Sequence, residues 1–162
     1  MSAKYKAFVL ALLLSLAADQ GTKIWARQVL KPRYPAAQVV IPGFFEMRYS
    51  ENTGSAFGLF RGSPAAKYLF FGVGVVALFV VANYLRRAQP GQVRLAAELG
   101  LLAGGALGNI IDRALYSKVT DFIVWKVGSH EWPTFNVADA ALVVGIAGLL
   151  FDLKPAEPSQ QS

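Results

Sequence analysis

Four apolar stretches, each close to the roughly 20 residues that a helix needs to cross a bilayer's hydrocarbon, constrain this sequence more than anything else in it. They fall at about 7–27, 65–85, 95–113 and 137–153. None shows the period-2 alternation of a barrel strand. The composition agrees: 54% of the 162 residues are hydrophobic and the mean hydropathy is +0.40, too apolar for an ordinary soluble domain. The expected architecture is one all-α polytopic membrane domain with four transmembrane helices.

Short connections set the orientation. Lys4 and Lys6 precede the first stretch, and Arg86, Arg87 and Arg94 crowd the link between the second and third. Positive charge favours the cytoplasmic side, so both termini are expected there. The tail, 154–162, reads as disordered. Two longer connections, 28–64 and 114–136, then face outward. Trp25, Trp125 and Trp132 all fall near the outer interface, where amphipathic rings prefer to sit. The first connection is rich in β-branched and aromatic residues punctuated by Pro-Gly and Asn-Thr-Gly. It predicts a small extracytoplasmic sheet over about 38–60, with strands near 38–41, 44–49 and 56–60. The N-terminus also resembles a cleavable secretory signal. Its continuation through Asp19 and Lys23 into Ile24 and Trp25 argues instead for a full-length span.

Several chemistries are excluded or disfavoured. There is no cysteine, hence no thiolate nucleophile and no disulfide. One histidine, His130, is too few for a usual zinc site or a convincing Ser/His system. No metal or cofactor is expected. Lys plus Arg is 16 against 10 acids, which suits loops beside anionic membrane lipid. No nucleic-acid-binding module accompanies that charge.

Ionisable residues inside spans mark function by default, and their depth is informative. At about 1.5 Å per residue, Asp19 stands about 18 Å above the inner face, Asn109 about 21 Å and Asp112 about 25 Å. Lys23 is one turn beyond Asp19. Asn136 and Asp139 open the descending fourth stretch, and Arg113, Asp121 and Asn52 lie in or beside the outer connections. All of these meet at the outer leaflet. Each has a plainer reading: Asp19–Lys23 as a self-neutralising helix pair, Asn136–Asp139 as a helix cap, Asp112–Arg113 as an interfacial salt bridge, Asp121 as a solvated loop residue. Glu98 and Asp152 read as interfacial. Gly100, Gly104 and Gly108, widened by Gly105, form a small-residue stripe that we read as a packing surface; it serves packing within one chain or a dimer equally, so the oligomeric state stays open.

Five blocks carry a resemblance: DQGTK (19–23), NTGSAF (52–57), GGALGNIIDR (104–113), VTDF (119–122) and FNVAD (135–139). In order and spacing the sequence resembles lipoprotein signal peptidase, or signal peptidase II, over nearly its whole length except the tail. The resemblance implies a bacterial membrane aspartyl endopeptidase that cuts prolipoproteins just before a diacylglyceryl-modified cysteine. It implies Asp121 and Asp139 as the catalytic pair, and Asp19, Lys23, Asn52, Gly54, Asn109, Asp112, Arg113, Asn136 and Ala138 as supporting residues. It also implies a multi-pass protein of the cytoplasmic (inner) membrane, with its site at the extracytoplasmic leaflet and a small outer sheet beside it.

Two nearby carboxylates cannot comfortably both ionise, so they share a proton and titrate as a unit. One takes a proton from the attacking water while the other hydrogen-bonds the scissile carbonyl. Two rivals predict other behaviour. A small ion- or proton-coupled transporter wants polar groups through the whole membrane thickness. A non-enzymatic assembly factor using the outer sheet as a platform predicts that Asp121 and Asp139 tolerate alanine.

Overall fold

The computed structural model describes residues 1–54 and 64–152, and of 64–67 the backbone alone. The order of elements is α1 (Ala3–Trp25), a π-helical turn (Ala26–Leu30), a short 3-10 turn (Lys31–Arg33), β1 (Gln38–Ile41), β2 (Phe45–Asn52), α2 (Pro64–Arg87), α3 (Val93–Tyr116), β3 (Val119–Val127), β4 (His130–Glu131) and α4 (Val137–Asp152). Three helical segments among the described residues are long and apolar enough to cross a membrane: Ala3–Arg33, Tyr68–Arg87 and Val93–Tyr116. The molecule is thus mostly helical with one small antiparallel sheet.

α3 is the centre of the bundle and packs against α1, α2 and α4. Its glycines explain the closeness. A Cβ on Gly104 would stand 2.8 Å from the Leu12 carbonyl oxygen of α1, and one on Gly105 would stand 2.6 Å from the Ala138 carbonyl oxygen of α4. Gly100 meets the Phe8 backbone in the same way. The stripe is therefore a packing surface within the chain: bare backbone lets helices approach, and close approach replaces the hydrophobic force that lipid does not supply between helices. On another face, Ala96, Leu99 and Ala103 form a buried cluster with Val81 and Leu85 of α2. Lys4 ties the start of α1 to the end of α2, donating to the carbonyls of Leu85 (3.1 Å) and Ala88 (2.5 Å). A cation there satisfies helix C-terminal carbonyls that have no partner of their own.

The sheet differs from the expectation. β1 and β2 occupy the first two predicted strand positions, while the third, 56–60, lies outside the described residues. The sheet is completed instead by the second connection, in the order β1-β2-β3-β4. Val119–Val127, read from the sequence as loop, is its longest strand. β2 and β3 pair antiparallel, with Ser50 opposite Asp121 and Asn52 opposite Val119, and the register shifts between Met47 and Ser50. The physical reason lies in VTDFIVWKV itself: five β-branched residues in nine favour a half-buried pleated surface once β2 offers an edge. The tail lies outside the described residues.

Candidate active site

α1 brings Asp19 and Lys23 to α3 at successive turns, because residues four apart stack on one helix face, and the π turn that follows brings Arg27 to it as well. Lys23 Nζ lies 2.9 Å from Asp19 Oδ2, with both side chains fully buried. The pair is more than self-neutralising. Lys23 also donates to Asn109 Oδ1 of α3 (3.0 Å) and stands 3.8 Å from Asp112 Oδ2. Asp19 Oδ1 accepts from the Ala138 backbone N–H (2.9 Å), one of the free donors in the first turn of α4. Two residues of α1 thus hold both neighbouring helices. Ala138 is fully buried, and a Cβ on Gly108 would stand 2.9 Å from the Asp19 carboxyl carbon and 3.3 Å from Ala138 Cβ, so Gly108 leaves room for both.

The second half of the site is made by chain reversal. After β3 the chain returns so that the Phe135 carbonyl accepts from the N–H groups of Phe122 (3.0 Å) and Ile123 (2.9 Å), while Phe135 N–H donates back to Ile123 (3.1 Å). This bridge sets the start of α4 beside Asp121. Asn136 then holds both carboxylates: its Nδ2 donates to Asp121 Oδ1 (2.6 Å), and its Oδ1 accepts from Asp139 N–H (3.0 Å). Asp139 Oδ2 in turn accepts from Asn136 N–H (3.2 Å), and Asp139 Oδ1 accepts from Asn109 Nδ2 (2.8 Å). The helix-cap reading of Asn136 and Asp139 is correct as geometry, and the capping atoms are also site atoms.

The two aspartates differ in environment. Asp121 is 2% exposed, on the strand, while Asp139 is half-buried at the helix end. Burial first, and then the charge of Asp139, push the Asp121 carboxyl up to about 7; hydrogen bonds from Asn136 and Asn52 oppose the rise. Asn52 is held by its own turn: its Oδ1 accepts from Gly54 N–H (2.9 Å), and Gly54 takes φ +94°, where a Cβ would be strained.

Asp112 and Arg113 do not form the interfacial salt bridge that is the plainer of their two readings. Adjacent helix residues point in different directions. Asp112 is fully buried toward α1 and β3, where it takes Arg27 (3.3 Å) and the backbone N–H of Thr120 (2.8 Å). Arg113 instead reaches the Asn109 carbonyl (3.4 Å) and stands over the Phe70 ring, 5.5 Å from its centroid. It remains within electrostatic reach of Asp121 and Asp139. The site residues that the resemblance implies gather at this end of the bundle, Glu98 and Asp152 lie at the other, and His130 lies apart, exposed on β4. Three participants were not foreseen. Gln20 Nε2 donates to Asp19 Oδ2 (2.9 Å) and the Gly108 carbonyl (3.2 Å). Arg27 and Thr120 hydrogen-bond each other beside Asp112 (2.9 Å). Arg27 carried a readable signal, since it continues the four-residue spacing of Asp19 and Lys23.

Comparison with known proteins points one way. The family model described as signal peptidase (SPase) II matches residues 11–154. The lipoprotein signal peptidase of Xanthomonas euvesicatoria is 40% identical over 152 residues, covering 90% of this chain and 86% of its own. That of Geobacter metallireducens is 37% identical over 155 residues, covering 94% and 93%. Two solved structures, each described as a bacterial membrane enzyme determined by the in meso method, are 30% identical with TM-scores of 0.78 and 0.80. They cover 90% and 92% of this chain, and 86% and 94% of their own.

Proposed function

The chain belongs to the signal peptidase II family, and from that premise we propose that Asp121 and Asp139 are its catalytic pair. It is an aspartic peptidase of the bacterial membrane that removes signal peptides from prolipoproteins. The family match leaves the transporter alternative without support.

In this reading α4 is a fourth transmembrane helix, both termini are cytoplasmic, and the aspartates work at the extracytoplasmic edge of the inner membrane. Asp121, buried and pushed up, holds the shared proton, and Asp139, more open, acts as base. Asp139 takes a proton from water as the water oxygen bonds to the scissile carbonyl carbon. Asp121 donates a hydrogen bond to the carbonyl oxygen, which stabilises the developing charge. Collapse of the tetrahedral intermediate breaks the C–N bond, and the proton taken from water passes to the departing amine. The observation that carries this reading is the single Asn136 amide that binds Asp121 through Nδ2 and caps Asp139 through Oδ1.

Asp19, Lys23 and Asn109 hold α1, α3 and α4 in the arrangement that brings the pair together. Asn52 and Gly54 hold the strand end beside Asp121, and Arg113, held by the Asn109 carbonyl and the Phe70 ring, is near enough to the pair to meet a substrate carbonyl. A diacylglyceryl cysteine suits this depth, because its acyl chains stay in the outer leaflet and pin the scissile bond near the interface. Purified protein incubated with a diacylglyceryl-modified prolipoprotein should release its signal peptide, while Asp139→Asn should not. Equal release by both would remove Asp139 from the chemistry.

A further inference from the structure

The upper end of α1 is not a regular helix. α-Helical bonding gives way to a π turn over Ala26–Leu30. Such wide turns are rare and often accompany functional sites. Arg27 sits in this turn, and its Nη1 donates to Thr120 Oγ1 (2.9 Å) and to Asp112 Oδ1 (3.3 Å). Asp112 Oδ2 accepts from the Thr120 backbone N–H (2.8 Å), closing a three-residue ring across the π turn, α3 and β3. The Tyr116 ring covers the guanidinium, with its centroid 4.5 Å from Cζ. Asp112 and Thr120 are buried, so these bonds are shielded from competing water.

Thr120 immediately precedes Asp121. Pairing with β2 fixes where β3 sits along the sheet, and the Phe135 bridge and Asn136 tie it to α4. The ring adds the tie to α3 and the π turn. Lys23 cannot replace Arg27, because its ammonium is already engaged by Asp19 and Asn109. We propose that Arg27 is a positioning residue: by bracing Thr120 and Asp112 it holds the start of β3 against α3, so that Asn136 and the Phe135 bridge keep Asp121 and Asp139 at their working distance. This rests on the reading of those two aspartates as the catalytic pair. The groups facing Asp121 are Asp139 of α4, Lys23 of α1, Arg113 of α3, and the amides of Asn136 and Asn52.

The test compares the full-length wild type with Arg27→Met, Arg27→Lys, Thr120→Val and Asp139→Asn, measuring kcat and KM on a lipidated prolipoprotein across pH. Small displacements of reacting groups are costly, so Arg27→Met should lower kcat about 10- to 100-fold with KM within about two-fold. Its alkaline limb should move to lower pH, because Asp121 no longer feels Asp139 as closely. Arg27→Lys should regain part of the lost kcat by restoring a cation beside Asp112. Thr120→Val keeps the shape and the backbone bond but loses the hydroxyl's bonds to Arg27 and Tyr49, and should lower kcat in the same direction by about 3- to 10-fold, the scale of a lost hydrogen bond.

Wild-type kcat in Arg27→Met overturns the proposal. So does a lowered kcat with an unmoved alkaline limb, the signature of less folded protein. If Arg27→Met does not accumulate, the same two readouts on Thr120→Val decide. An active Asp139→Asn would instead bring down the catalytic pair, whereas an inactive Asp139→Asn beside a normal Arg27→Met brings down Arg27 alone.

Discussion

The bundle has charged side chains buried at both ends, and the two groups are built differently. At one end Asp19, Lys23, Asn109, Asp112, Arg27 and Asn136 join the α1 segment, α3, β3 and α4 through a chain of bonds. At the other, Glu98 meets Arg94 one turn away on the same helix (2.9 Å), and Arg94 reaches Asp152 of α4 (3.4 Å). Arg94 is 64% exposed, and Glu98 Oε2 is buried with no partner among the described residues. Buried charge by itself therefore does not identify a site. The first group differs in that its bonds cross several elements and end on Asp121 and Asp139, so that each bond in it fixes the position of something else.

The comparison breaks first, and most severely, on the aspartates. Asp121→Asn and Asp139→Asn should each lower kcat by at least about 1,000-fold, since either change removes half of an acid–base unit. Glu98→Gln, an equally buried carboxyl at the opposite end, should leave kcat within about two-fold, as a side chain remote from the reacting atoms. Signal-peptide release from a lipidated prolipoprotein measures all three. A Glu98→Gln enzyme as dead as Asp139→Asn would mean that the two ends are not functionally distinct.

Stability should show the next largest difference. Lys23→Met strands Asp19 in a fully buried position, and breaking a buried pair from one side costs about 3–5 kcal/mol. Arg94→Met removes a mostly exposed partner and should cost at most about 1 kcal/mol. Thermal unfolding of detergent-solubilised protein separates the two; equal losses would show that the network at the aspartate end is no tighter than the Glu98 pair.

Glycines sharpen the contrast further. Alanine at Gly104 meets the Leu12 carbonyl (2.8 Å) and the Ser15 side chain, and helix backbones must part to admit it. Overpacking of that kind costs about 1–3 kcal/mol. Alanine at Gly148 meets the Glu98 side chain from Cγ to Oε1 (2.7 to 2.5 Å), which yields more readily than backbone does, so its cost should be smaller. A Gly148→Ala loss matching that of Gly104→Ala in the same unfolding measurement would place rigid packing at both ends.

Much of this was legible in the sequence because the signals are local and periodic. The apolar helices follow from composition, and the convergence of Asp19, Asn109, Asp112 and Asn136 at one level follows from helix rise alone. Other features depend on partners distant in the chain. Val119–Val127 has strand composition, but only β2, roughly 70 residues earlier, turns it into sheet. The Asp112–Arg113 pairing failed because sequence adjacency is not adjacency on a helix. Arg27 kept the four-residue spacing of Asp19 and Lys23, yet its link to Thr120 exists only because β3 folds back over α3.

The smallest effect concerns pH and isolates Asp121. Its carboxyl stands at about 7 against an ordinary 3.8, chiefly through burial and then through Asp139. In the catalytic reading, losing this proton leaves both carboxylates ionised, so kcat/KM should fall about tenfold per pH unit above about 7. A carboxyl raised on folding favours the folded state when protonated. Its contribution is complete below about 3.8 and disappears as pH rises through about 7. Wild-type melting temperature should accordingly decline across that window, and Asp121→Asn should flatten the decline. Glu98→Gln should leave both the alkaline limb and this slope where they are. If it moved them, the titrating group would lie at the opposite end of the bundle, and the difference between the two ends would have to be drawn again.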